Sequence, residues 1–76
     1  MYPRIVSDPT ILSGKPVIKG TRISVEFILE LFASGAGPAD VVRMYPQLTL
    51  EDVKQAAGYA ADAVRQDVNL PPRMAG

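Results

Sequence analysis

The chain contains no cysteine and no histidine. Without cysteine there is no disulfide to staple a small fold and no thiolate chemistry. Without histidine, the usual metal ligand is gone, and so is the commonest general base near neutral pH. The Ser/His and Cys/His nucleophile pairs go with it. No apolar run approaches the roughly 18 residues that cross a bilayer. The opening residues, MYPRIVSDPT, have no signal-peptide hydrophobic stretch. These absences lead to the expectation of a soluble, cytoplasmic, non-enzymatic protein with no metal, no cofactor and no membrane partner.

What remains is 76 residues, enough for one small domain. A domain of this size buries only about 60% of the surface of its unfolded chain. An apolar content of 47% gives it an ordinary core at best, so self-association is the expected further support. Net charge is zero but unevenly placed. Arg4, Lys15, Lys19 and Arg22 face only Asp8 in residues 1–22, and residues 23–66 carry the opposite imbalance. Any attraction for phosphate or for an acidic partner belongs to the first third of the chain.

Residues 1–22 alternate turn signals with short β-branched pieces at Ile5-Val6, Thr10-Ile11-Leu12 and Val17-Ile18. They predict two or three very short strands, which must lie on a helical core or pair with another chain. From Ser24, an N-cap residue, Val25, Ile28, Leu29 and Phe32 follow at helical spacing. Phe27 and Leu31 fall outside that stripe and suggest a partner or dimer contact on a second face. Gly35-Ala36-Gly37 ends the helix, and Pro38 suits the first position of a short second one that closes at Tyr45-Pro46-Gln47-Leu48. Thr49 and Asp52 have capping-box spacing for a third helix, with Leu50, Val53, Ala57, Ala60 and Val64 as its apolar stripe. Gly58 within it costs about 1 kcal/mol relative to alanine and points to tight packing. Helices of this kind make residues 1–66 one domain and residues 67–76, with Pro71-Pro72, an extended tail.

GKPVIKGTR, residues 14–22, has the composition of a phosphate cradle but not its spacing. A P-loop needs G-x-x-x-x-G-K-[ST]. Here Pro16 follows Gly14-Lys15, and Pro9 stands where the first glycine belongs. The stretch reads as turn, strand, turn and helix entry. The carboxylates offer no catalytic pair either. Glu26 and Glu30 lie one turn apart on a polar face, and Glu51 and Asp52 suit the positive end of a helix.

GKPVIKGTRISVEFILELFASGAG followed by YPQLTLEDVKQAAGYA closely resembles the family called domain of unknown function 433, over roughly residues 4–62. Its motif falls on Gly14, Lys15, Pro16, Ile18, Gly20, Thr21 and Arg22, and on Tyr45, Pro46, Leu48 and Thr49. Gly37 replaces a common Ser or Thr cap, and Ala57 replaces a larger apolar side chain. The resemblance implies a mainly α fold: short N-terminal strands, then a three-helix, homeodomain-like helix-turn-helix bundle. It also implies an antitoxin that binds and neutralises a PIN-like ribonuclease toxin and weakly binds operator DNA. The alternatives are a stand-alone DNA-binding transcriptional regulator and a dimeric interaction module that binds no DNA.

Two carboxylates, Glu51 and Asp52, stand in the first turn of the would-be recognition helix and would repel phosphate. Contact with nucleic acid or an acidic partner is therefore expected from Lys15, Lys19, Arg22 and Arg43, with Lys54 and Gln55 from the third helix. A homodimer is expected through Phe27 and Leu31. The tail, through Leu70, Arg73 and Met74, is expected to help bind the toxin, with Arg73 reaching toward an acidic metal cluster.

Overall fold

Six short elements build the domain: β1 (Ile5–Val6), a 3-10 turn (Leu12–Gly14), β2 (Val17–Ile18), α1 (Val25–Ala33), α2 (Pro38–Met44) and α3 (Leu50–Asp67). They come from a computed structural model that describes residues 1–67. The two strands form an antiparallel pair, Ile5 opposite Ile18 and Val6 opposite Val17. Of the two expected supports, a helical core and another chain, the strands use the first: they pair with each other and lie on the core. Strands two residues long hold because Val17 and Ile18 are fully buried. Thr10-Ile11-Leu12 is not a strand. The Asp8 carboxylate accepts from both the backbone N–H and the hydroxyl of Thr10, at 2.8 and 2.7 Å, and this local turn replaces extended pairing.

GKPVIKGTR owes its composition to backbone geometry. The chain reverses after β2 through Lys19-Gly20, with Gly20 at φ +80° and the Thr21 N–H donating to Ile18 O at 3.0 Å. A positive φ at that position is the type II requirement that glycine meets without strain. The Thr21 hydroxyl donates to Ile18 O and accepts from the Ile23 N–H, which locks the turn. Pro16 O then accepts from the Val25 N–H at 2.9 Å, satisfying one of the orphan donors of α1. Ser24 Oγ accepts from the Phe27 N–H at 2.9 Å as the expected N-cap.

The remaining helix ends follow from cap chemistry. At the end of α1, Gly35 at φ +108° lets the Ala36 N–H reach Leu31 O and its own N–H reach Phe32 O, a Schellman closure. Pro38 opens α2, and Asp40 Oδ2 accepts from the Gly37 N–H at 2.8 Å, so the missing cap hydroxyl is partly compensated. Thr49 and Asp52 exchange reciprocal 3.0 Å bonds at the start of α3; the shorter Asp does serve in the box.

α3 packs on α1, α2 and β1 around Ile18, Val25, Ile28, Val41, Leu48, Val53 and Ala56. Two expected stripes are corrected here. In α1, Leu29 turns outward while Leu31 packs against the core. In α3, Val53 and Ala56 face inward with Ala60 beside them, whereas Leu50, Ala57 and Val64 lie outside. Alanines follow Val53 on both faces of α3, so its inner face is set by Leu48, Val41 and Ile28, which pack on it from elsewhere in the chain. Among the described residues no helix is long and apolar enough to cross a membrane.

Candidate functional site

Three surfaces surround α3 and α1, and the first of them is spent on stability. Tyr2 and Arg4 lie along α3 as a strap. Arg4 Nε donates to Asp52 Oδ1 at 2.7 Å, and the Arg4 N–H donates to Gln55 Oε1 at 2.8 Å. The Tyr2 ring meets Tyr59 edge-on at 6.0 Å between centroids, and its hydroxyl donates to Asp62. Asp52, Gln55, Tyr59 and Asp62 recur at three- and four-residue spacing, so one helix face receives the whole strap. Gly58 sits under it: an added Cβ would lie 2.8 Å from the Tyr2 ring. The tight packing read from Gly58 is therefore real and lies within the chain.

Asp52 is 1% exposed. Burial pushes its carboxyl up, but the Arg4 guanidinium and the Thr49 bonds together outweigh this and hold it below the usual carboxylate range. At the far end of the strap, hydrogen bonding to Asp62 and partial burial raise the Tyr2 phenol, and the same bond, with Arg65, lowers Asp62.

The second surface is a cleft of about 550 Å³ between the 3-10 turn and α1. Leu12, Lys15, Arg22, Glu26, Phe27 and Glu30 line it, with Ser13 and Ser24. Lys15 Nζ donates to Glu26 Oε1 at 2.7 Å; that bond, and then the charges of Glu26 and Glu30, raise its ammonium. Arg22 and Glu30 have no ion pair among the described residues. On the rim, Leu12 and Ser13 stand at φ +49° and +58°, ahead of Gly14 at +86°. Left-handed backbone at a leucine and a serine costs on the order of 1–3 kcal/mol each. It leaves Leu12 exposed beside the cleft.

The third surface is apolar. Leu29 of α1 and Ala57, Ala60, Ala61, Val64 and Arg65 of α3 line an open groove of about 610 Å³. Leu50 and Val64 are each 58% exposed and Leu29 is 38% exposed. Leu50, Ala57, Ala61 and Val64 follow at spacings of seven, four and three, a seam like that of a coiled coil, with Lys54 within it and Arg65 at the groove's edge.

The expected site residues are divided among these surfaces. Lys15 and Arg22 line the cleft, and Lys19 lies exposed on the turn between β2 and α1. Arg43 is held by Asp40 of its own helix. Lys54 is exposed on α3, but Gln55 is turned to Arg4 and Glu51 and so serves the strap. Phe27 and Leu31, expected as a second face of α1, are both half-buried. Phe27 packs edge-on against Tyr45 at 5.5 Å, and Leu31 packs on the core. Leu70, Arg73 and Met74 lie outside the described residues.

The Arg4–Asp52 pair and the groove escaped sequence reasoning. The signals for the pair were an aromatic and a cation ahead of the first strand, and a glycine in mid-helix marking a close approach.

Over residues 5–60 the chain matches the family model described as "Protein of unknown function (DUF433)". Uncharacterized protein y4eO of Sinorhizobium fredii is 34% identical over 56 residues, 74% of this chain and 25% of that protein. The crystal structure of a DUF433 member from Anabaena variabilis superposes with a TM-score of 0.77 at 30% identity, covering 83% of this chain and 62% of that one. The chain thus spans a quarter of the curated relative and less than two thirds of the crystallised neighbour. With a match running from β1 into the third turn of α3, the chain belongs to the DUF433 family.

Proposed function

We propose that this chain is a non-catalytic, cytoplasmic binding module of the antitoxin kind, which neutralises a PIN-like ribonuclease by protein contact and pairs with itself when alone. The observation that carries the reading is the exposed apolar seam of Leu29, Leu50, Ala57, Ala61 and Val64. Contiguous apolar surface on a small soluble domain marks a protein contact. Small side chains at its centre admit the close approach of another helix. The toxin as partner rests on the resemblance carried by GKPVIKGTR and YPQLT. A PIN-like ribonuclease encoded beside this chain is the expected target: purified and cleaving a labelled RNA, it should lose activity as the chain is added at stoichiometric amounts, and an unrelated neighbouring reading frame would count against the reading. Full cleavage in a tenfold excess would remove the antitoxin reading.

Weak operator binding is the second reading, and Lys19, Arg22 and Lys54 favour it. None of the three has an ion pair among the described residues. With few cations and no net charge, such binding is dominated by phosphate contact and is strongly salt-dependent.

A further inference from the structure

The seam of α3 carries more than apolar surface, because its shape and its charges fit a copy of itself. Leu50 and Val64, each 58% exposed, stand at its two ends, and Ala57 and Ala61 occupy the middle. Leu29 of α1 borders that middle. Two such helices approach most closely where the alanines meet, and each large end residue then reaches over the other helix. A closed pair of identical chains needs one surface that is its own complement. A profile of large, small and large is unchanged when the helix is turned end for end.

The charges choose the direction. Leu50, Lys54, Ala57, Ala61 and Val64 occupy the alternating core positions of a helix pair, and Glu51, Gly58 and Arg65 fall along one edge. In a parallel pair each residue meets its own copy. Lys54 would then face Lys54, Glu51 would face Glu51 and Arg65 would face Arg65. In an antiparallel pair with Ala57 opposite the second copy's Ala61, Lys54 lies opposite the second copy's Val64. Glu51 then meets the second copy's Arg65, and the symmetry repeats that contact. Glu51 has no ion pair among the described residues, and the Arg65 side chain is 70% exposed beyond its bond to Asp62. The aliphatic stem of Lys54 covers Val64 while its ammonium stays in water. Helix dipoles also favour the antiparallel arrangement.

We infer that the occupant of this groove in the free protein is a second copy of the chain, docked with the two α3 helices antiparallel and with Glu51 paired to Arg65 across the interface. The inference rests on the self-pairing part of the proposed function and adds its geometry; it does not require the other partner to be a ribonuclease.

The chain contains no cysteine, so single introduced cysteines report the geometry directly. Lys54→Cys and Val64→Cys chains, mixed in equal amounts and briefly oxidised, should give chiefly the mixed disulfide, identified by its mass. Two copies of position 54 lie about 15 Å apart along the antiparallel pair, as do two copies of position 64, beyond the reach of a disulfide. Val64→Cys alone, which keeps Lys54, should therefore cross-link at least tenfold more slowly than the mixture. Charge exchange, read by sedimentation equilibrium, is the second arm. Glu51 and Arg65 are both exposed, so their replacement should leave the fold intact, as circular dichroism would check. Glu51→Arg or Arg65→Glu alone should weaken self-association by about tenfold, since two attractive contacts become repulsive. Both changes in one chain should restore it, which loss of structure cannot produce. Like-with-like disulfides forming as readily as the mixed one, a double exchange no better than either single change, or a wild-type monomer at hundreds of micromolar would overturn the inference. A dimer of another geometry leaves the self-pairing itself standing, whereas an uninhibited ribonuclease removes the antitoxin reading without altering the cross-links.

Discussion

Arg4 and Asp52 show how a single pair couples the start of the chain to its last helix. Asp52 caps α3 and receives the Arg4 guanidinium at 2.7 Å, and it is almost wholly buried. Arg4→Ala leaves that carboxylate with only its cap partners and should destabilise the fold by about 1–3 kcal/mol, read from urea unfolding. The Asp52 carboxyl is held low, so its contribution is present above the ordinary carboxylate pKa of about 3.9 and is lost as pH falls through the depressed value. Unfolding midpoints between pH 2 and 7 should therefore fall on the acid side in wild type and fall less in Asp52→Asn; identical acid limbs would contradict the pair's role. Gly58 gives a sign test. Gly58→Ala should destabilise wild type, because the new methyl meets the Tyr2 ring. In a Tyr2→Ala background the same change should stabilise by about 1 kcal/mol, the ordinary helix preference for alanine. Stabilisation in both backgrounds would mean that the strap does not rest on Gly58.

Helix ends were legible in the sequence and helix faces were not. Ser24, Pro38 and the Thr49/Asp52 box act on neighbours within four residues, so their spacing alone fixed α1, α2 and α3. The face that α3 buries depends on Leu48, Val41 and Ile28, which arrive from elsewhere in the chain, and an alanine-rich helix gives no periodic signal strong enough to choose. Phe27, Leu31 and Gln55, expected as contact residues, are half-buried against Tyr45, the core and Arg4, neighbours that arrive from elsewhere in the chain. This bears on nucleic acid. Gln55 is bonded to Arg4 and Glu51, and Lys15 and Arg43 are ion-paired, so the proposed phosphate contacts are Lys19, Arg22 and Lys54. Replacing all three by alanine should flatten the dependence of duplex DNA binding on salt, and Gln55→Ala should leave that slope unchanged. Loss of binding in Gln55→Ala with the fold intact would place the contact on α3, in the manner of a helix-turn-helix recognition helix.

Taken whole, the molecule is a small core strapped from one side and left apolar on another. The strands pair inside the chain, and Phe27 and Leu31 are half-buried within it. The seam from Leu50 to Val64 supplies the grounds for a homodimer. Sedimentation at micromolar concentration should give about twice the 8.2 kDa of one chain. Ala61→Arg, an exposed position on the seam, should return the monomer without unfolding it. The decisive experiment is the titration of a PIN-like ribonuclease, the partner proposed above, by calorimetry, with wild type and with folded Ala61→Arg side by side. Saturable binding by wild type, weakened at least tenfold by Ala61→Arg, is the expected result; equal affinity for the two, or heat from neither, would contradict a partner-binding seam on α3.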